Sequence, residues 1–149
     1  MGENGGGEKP AVKDAAFSVA GIALRDSRFF IARRIPGGSL GGKWEFPGGK
    51  VEAGESPEEA LIREFQEEFS LSIRVGEELG VSRFEHKGLE RTLRAHRIYF
   101  TDDGFAAALS LTDHEEWKWA TLGEIETLDF APSDTKLLPA LKAYLQANP

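Results

Sequence analysis

The 149-residue chain contains no cysteine, which excludes a disulfide framework and a thiol nucleophile alike. Long apolar runs are missing too. No window approaches the ~18–20 uninterrupted apolar residues that a membrane-spanning helix needs. The opening MGENGGGEKP lacks the apolar core of an export signal. A cytoplasmic location is the expectation. Positive charge is also short, with 18 Lys and Arg against 25 Asp and Glu for a net charge of −7. A general nucleic-acid binder normally presents a basic face, so that class is disfavoured.

What is present fits one globular domain. Hydrophobic residues make up 40% and aromatics 10% of a length sufficient to bury a core. Residues 1–14 are rich in Gly, Lys and Glu without periodicity and read as a tail, leaving 15–149 as a single domain. Segments 16–24 and 29–33 flank Arg25-Asp26-Ser27-Arg28, a β-hairpin signature. A glycine-rich loop spans 36–42, and a short strand at 43–46 runs into a Pro47-Gly48-Gly49 turn. Segments 71–75 and 79–86 read as strands. The second turns at Lys87-Gly88 into a return strand over 91–100, closed by Asp102-Asp103-Gly104. A strand at 116–120 carries Trp117 and Trp119 on one face, 122–125 forms one helical turn, and a C-terminal helix follows with Ser133 or Asp134 as its cap. Pro139 should kink or delay that helix. Strands, helix, strands, helix predicts a mixed sheet with helices on its faces.

One stretch, residues 48–71, reads GGKVEAGESPEEALIREFQEEFSL. Ser56 as N-cap, Pro57 at the first helical position and Glu59 completing a capping box predict a well-defined helix start. At about 100° per residue, Leu61, Ile62, Phe65 and Phe69 share the expected buried arc. Glu64, Glu67 and Glu68 lie beside it, three and four positions apart, where they can share one hard cation. Arg63 sits four residues before Glu67 and can fix a carboxylate's orientation. An ordinary solvated helix face would show the same three glutamates.

The same stretch resembles the Nudix box, G-x5-E-x7-R-E-U-x-E-E-x-G-U with U a bulky apolar residue. The matching residues are Gly49, Glu55, Arg63, Glu64, Phe65, Glu67, Glu68 and Leu71. At roughly one in ten for each of the glycine and polar positions, chance agreement is about 10⁻⁶ per register. Ser70 departs from the pattern, standing where the family has glycine, which puts the helix-ending geometry in question. The resemblance implies a Nudix α/β/α sandwich around a mixed sheet. It also implies Mg²⁺, with Mn²⁺ as the alternative, held by Glu67, Glu68, Glu64 and the carbonyl of Gly48. In that comparison Glu64 is ligand or base, Arg63 orients, and Glu52 and Glu55 take outer-sphere or structural roles. A bound cation reverses the sign an incoming phosphate meets, so the acidic balance does not exclude a nucleotide.

The flanks resemble the MutT-type nucleoside triphosphate diphosphatases. Arg33-Arg34 and Trp44-Glu45-Phe46-Pro47-Gly48-Gly49-Lys50 follow their "RR…EFPGGK" arrangement, which implies Arg34 against phosphate and Phe46 lining the base pocket. Asp134 is either a helix cap or an acceptor for an exocyclic amine. Glu116 is the acid expected to act on the metal or water, in an alignment ambiguous by one or two residues. His86, His96 and His114 show no metal-ligand spacing and are expected on strands or at the surface, His86 facing the base pocket in one reading. Isoprenoid diphosphate isomerases of this fold rely on a cysteine that is absent here. The expected activity is Mg²⁺-dependent hydrolysis of a small nucleotide, an oxidised guanine triphosphate first and CTP or modified dCTP second. A non-catalytic nucleotide-binding module is the alternative from another class. Neither nucleic acid nor membrane is an expected partner, and the oligomeric state is not legible.

Overall fold

The computed structural model describes residues 17–101 and 109–149. The expected tail and the Asp102-Asp103-Gly104 turn lie outside them. The described strands are β1 (Phe17–Ile22), β2 (Leu24–Arg25), β3 (Arg28–Arg34), β4 (Trp44–Glu45), β5 (Gly48–Lys50), β6 (Ile73–His86), β7 (Leu89–Phe100) and β8 (His114–Ala120). The helices are α1 (Pro57–Phe69), α2 (Leu122–Ile125), α3 (Pro132–Thr135) and α4 (Leu138–Ala147). No described helix is long and apolar enough to cross a membrane.

The strands form two sheets. One runs β5-β1-β7-β6, with β1 parallel to β7 and the remaining pairs antiparallel. In the other, β3 pairs with β8 along one edge and with β2 and then β4 along the other. The chain changes sheets at Ala23, so the expected hairpin joins β2 to β3 while β1 belongs elsewhere. Asp26 and Ser27 both adopt positive φ, 52° and 62°, as a two-residue turn between twisted strands requires.

Alternation along the strands builds two cores at once. Phe29 and Ile31 join Ile22, Phe46, Ala95, Leu137 and Leu141 on the α4 side. Phe30 and Ala32 join Val19, Leu61, Phe65, Phe69 and Ile98 under α1. Helices thus cover both faces of a mixed sheet layer, the expected α/β/α sandwich.

Three details correct the sequence reading. Residues 73–86 form one strand, kept continuous by register shifts around Glu78 where two strands were expected. Gly48 and Gly49 lie in β5 rather than a turn. Ile62, expected in the buried arc, is 41% exposed. Its place at the arc's far edge is vacated because Ala60 and Glu68 occupy the near one.

Candidate active site

The helix start forms as its residues dictate. Ser56 accepts from the Glu59 backbone at 3.0 Å while the Glu59 carboxylate accepts from the Ser56 backbone at 2.9 Å. At the other end Ser70 takes the left-handed conformation (φ 57°, ψ 36°), donating its N–H to the Gln66 carbonyl at 3.0 Å. The helix therefore ends where a glycine would end it.

Between these caps, Arg63 organises the carboxylates. Its Nε and Nη2 grip Glu55 at 2.7 and 3.0 Å, while Nη1 reaches Glu64 at 3.1 Å and Glu67 at 3.3 Å. Nη2 also donates to the Lys50 carbonyl at 3.1 Å, tying α1 to β5. Arg63 and the Glu52 N–H hold the Glu55 carboxyl down at about 2. Glu55 is thus a structural anchor for the arginine.

β5 is the second support. A Cβ at Gly48 would strike the Val19 carbonyl of β1, and one at Gly49 would fill the space of the Glu64 carboxylate. Only glycine lets the strand and the acidic helix approach this closely. Glu68 points inward and is buried. Burial first, and then the adjacent Glu64, Glu45 and Asp113, push its carboxyl far above the usual carboxylate range.

Behind Glu68 lies a connection invisible in the sequence. His114 is buried at the start of β8, its ring stacked on Phe69 at 5.1 Å. Its Nε2 meets Glu45 Oε2 at 2.7 Å, and its Nδ1 faces Glu68 Oε1 at 3.9 Å. Glu45 Oε2 also accepts from Arg34 Nη1 at 3.3 Å. Of the two placements expected for His114, strand or surface, it takes the strand, and it is buried there. His86, by contrast, does line the cavity.

A cavity of about 370 Å³ runs from Gly48, Gly49, Glu64 and Glu68 past Arg34 and Glu45 to Phe46, Phe84, His86, Ser133 and Asp134. Phe46 is wedged edge-on between Phe29 and Phe130, at 5.9 and 5.1 Å between ring centroids. Asp134 is buried, accepting from the Phe46 backbone at 2.9 Å and the Ser133 hydroxyl at 3.0 Å. Burial, with the Glu45 charge adding, pushes its carboxyl up to about 7. The capping role fails for both Ser133 and Asp134, because α3 starts behind Ala131 and α4 behind Leu137 without side-chain caps.

Arg34, Phe46, Gly48, Glu64, Glu68 and Asp134 thus share one cavity. Arg63 and Glu67 are outside its lining, and Arg63 ties Glu67 to the lining residue Glu64. Glu116 is not brought there. Its exposed carboxylate pairs with Arg33 at 2.7 Å, its neighbour across β3 and β8. The acid of that segment whose charge acts on Glu68 is Asp113.

The donor set suits a hard cation. Glu68 Oε1 is buried without a hydrogen-bond partner, and the Glu64 carboxylate is packed against Gly49. Among the described residues no group of three or more acids or histidines is already drawn together closely enough to hold an ion by itself. An ion such as Mg²⁺ would complete its shell with water and phosphate oxygens.

An acidic helix against a glycine strand, at the mouth of a cavity in an α/β/α sandwich, defines a hydrolase acting on acid anhydrides. The chain matches the NUDIX domain model over residues 14–141 and belongs to the Nudix hydrolase family. It is 35% identical to the CTP pyrophosphohydrolase of Escherichia coli K12 over 88% of this chain and 94% of that one. It is 34% identical to putative 8-oxo-dGTP diphosphatase 2 of Mycobacterium tuberculosis, over 87% and 90%. Among solved structures, the E. coli ORF135 protein superposes with a TM-score of 0.72 at 34% identity, covering 89% of this chain and 92% of that one. A MutT protein from Methanosarcina mazei reaches 0.75 at 22% identity, over 87% and 94%, and shares the fold.

Proposed function

We propose that the protein hydrolyses a nucleoside triphosphate to the monophosphate and pyrophosphate with a divalent cation, as Nudix hydrolases typically require. The observation that carries this reading is the cavity itself, acidic and glycine-floored at one end and apolar with a buried carboxylate at the other. Glu64, Glu67, Glu68 and the Gly48 carbonyl would hold Mg²⁺ or Mn²⁺. The cation supplies charge neutralisation on the phosphates and lowers the pKa of attacking water. Arg63 keeps Glu64 and Glu67 in register, and Glu64 is the base that takes the proton of the attacking water. Arg34, braced by Glu45, meets the phosphate chain. Glu116 has no place in this scheme, because Arg33 engages it outside the cavity lining.

Base selection falls to Phe46 and Asp134. An ionised Asp134 accepts hydrogen bonds from the amine of a base resting on Phe46. Two relatives supply the alternatives: 8-oxo-dGTP, which makes the enzyme a sanitiser of the cytoplasmic nucleotide pool, and CTP or modified dCTP, favoured by the single carboxylate suited to cytosine N4. A nucleotide panel assayed for pyrophosphate with Mg²⁺ decides between them. Release of inorganic phosphate, or cleavage of nucleotide sugars alone, refutes the triphosphate assignment. Glu64→Gln should lower kcat by about 10²–10⁴. Glu67→Gln should abolish most turnover at limiting Mg²⁺. A pure binding module would keep its nucleotide affinity in both variants.

A further inference from the structure

His114 belongs to no motif that identifies the family in this chain, yet it contacts both Glu45, which receives Arg34, and Glu68. Its side chain is fully shielded from solvent, 0% exposed. A register shift between Arg33 and Arg34 sets it directly across the sheet from Arg34. The Phe69 ring, stacked on it at 19°, fixes the plane of the imidazole. In that plane one nitrogen meets Glu45 at 2.7 Å and the other faces Glu68 at 3.9 Å. Glu45 in turn receives Arg34. Hydrogen bonds therefore join Arg34 to His114 through Glu45, and a 3.9 Å approach carries the path on to Glu68. Both His114 Nδ1 and Glu68 Oε1 are buried and have no hydrogen-bond partner, so this limb lacks the closure that the Glu45 limb has.

We propose that His114 is a positioning residue that couples the phosphate seat at Arg34 to the cation seat at Glu68, through its paired contacts to Glu45 and Glu68. The inference rests on the diphosphatase reading above. Nε2 is the donor to the Glu45 carboxylate, so the ring presents Nδ1 to Glu68. Glu45, held by this donor, keeps Arg34 extended along the cavity wall instead of collapsing toward Glu68. Glu68, backed by the ring, is kept turned toward Glu64 and Gly49. Neither role involves contact with substrate. The path predicts that phosphate affinity and cation affinity respond to the same side chain, although the sites belong to different elements.

The two nitrogens can be removed separately. Glutamine reaches about as far as Nε2 and keeps the donor to Glu45, whereas asparagine reaches only to the Nδ1 position. For His114→Gln we expect KM close to wild type and Mn²⁺ affinity of the substrate-free protein, read by calorimetric or EPR titration, weakened about tenfold. For His114→Asn we expect the reverse, with KM raised about tenfold and Mn²⁺ affinity retained. His114→Leu should lose both. Melting temperatures accompany each measurement. If the variants only lower the melting temperature, while KM and Mn²⁺ affinity of the folded protein stay within twofold of wild type, the coupling is refuted. Should His114→Leu fail to fold, Glu45→Gln preserves shape while removing the charge, and it must raise KM without His114 being touched. An unchanged KM there also refutes the proposal. Wild-type protein that binds Mn²⁺ but cleaves no triphosphate overturns the diphosphatase reading instead, leaving the cation limb to be judged by titration alone.

Discussion

Asp134 pulls stability and recognition in opposite directions with pH. Its carboxyl ordinarily titrates at 3.8 and rises to about 7 in the fold. A carboxyl raised on folding holds its proton more tightly in the native state. Its contribution is therefore largest below the unfolded value and is lost as pH climbs toward the folded one. Recognition of an amine needs the ionised form and gains as pH passes through the folded value near 7. Asp134→Asn removes both trends. Its melting temperature relative to wild type should increase between about pH 4 and about pH 7, and the rise of kcat/KM with pH should flatten. A temperature difference independent of pH would show that Asp134 is ionised throughout. At this scale the sequence was informative wherever partners are near in the chain. Arg63, Glu64 and Glu67 are bonded as their spacing requires. Glu45 and His114, 69 positions apart, meet only through the pairing of β3 with β4 and β8, which no spacing encodes.

The acidic helix and glycine strand show the same division between elements. The start of α1 was readable, because capping is settled by residues within one turn, whereas Ser70 left its end open between a left-handed cap and another ending. Ser70 takes the left-handed conformation without being glycine, gaining a hydroxyl contact to Ser110 at 3.0 Å. Ser70→Gly should raise stability by about 0.5–1 kcal/mol in urea unfolding, the relieved strain exceeding an exposed hydrogen bond. What was not readable is that the glycines form an edge strand laid against β1. Their need for space separates two outcomes. Gly48→Ala drives a Cβ into the Val19 carbonyl, so β1 and β5 must part and the protein should lose more than about 2 kcal/mol. Gly49→Ala meets only the end of the Glu64 side chain, which can swing aside. That variant should melt near wild type yet lose at least tenfold in kcat, since the displaced carboxylate is the base. Equal destabilisation by the two would show that Glu64 is fixed as firmly as the backbone.

At the scale of the whole molecule, the cavity lies where two separately bonded sheets meet, and both its ends depend on the seam. Strand β3 holds that seam. Phe29 and Ile31 enter the core beneath α4, while Phe30 and Ala32 enter the core beneath α1. The hairpin ending in this strand was visible, but the switch at Ala23 that sends β1 and β3 to different sheets was not, because a one-residue break carries no periodic signature. A shared strand means that neither core can dissolve alone. Phe29 and Phe30 are both fully buried, and truncating either to alanine should cost about 3–5 kcal/mol. The informative quantity is the shape of the transition. Trp117 and Trp119 pack against the α1-side cluster while Trp44 lies in the other. With Trp44 replaced by Phe in every protein compared, the fluorescence reports the α1-side core, whereas far-UV circular dichroism averages over both. With β3 common to the two, fluorescence and dichroism should give one coincident urea transition in that background, and each variant should shift both probes equally. If Phe29→Ala moved the dichroism midpoint while leaving the tryptophan transition in place, the cores would be independent units. The cavity between them would then be a junction rather than a site built into one cooperative fold.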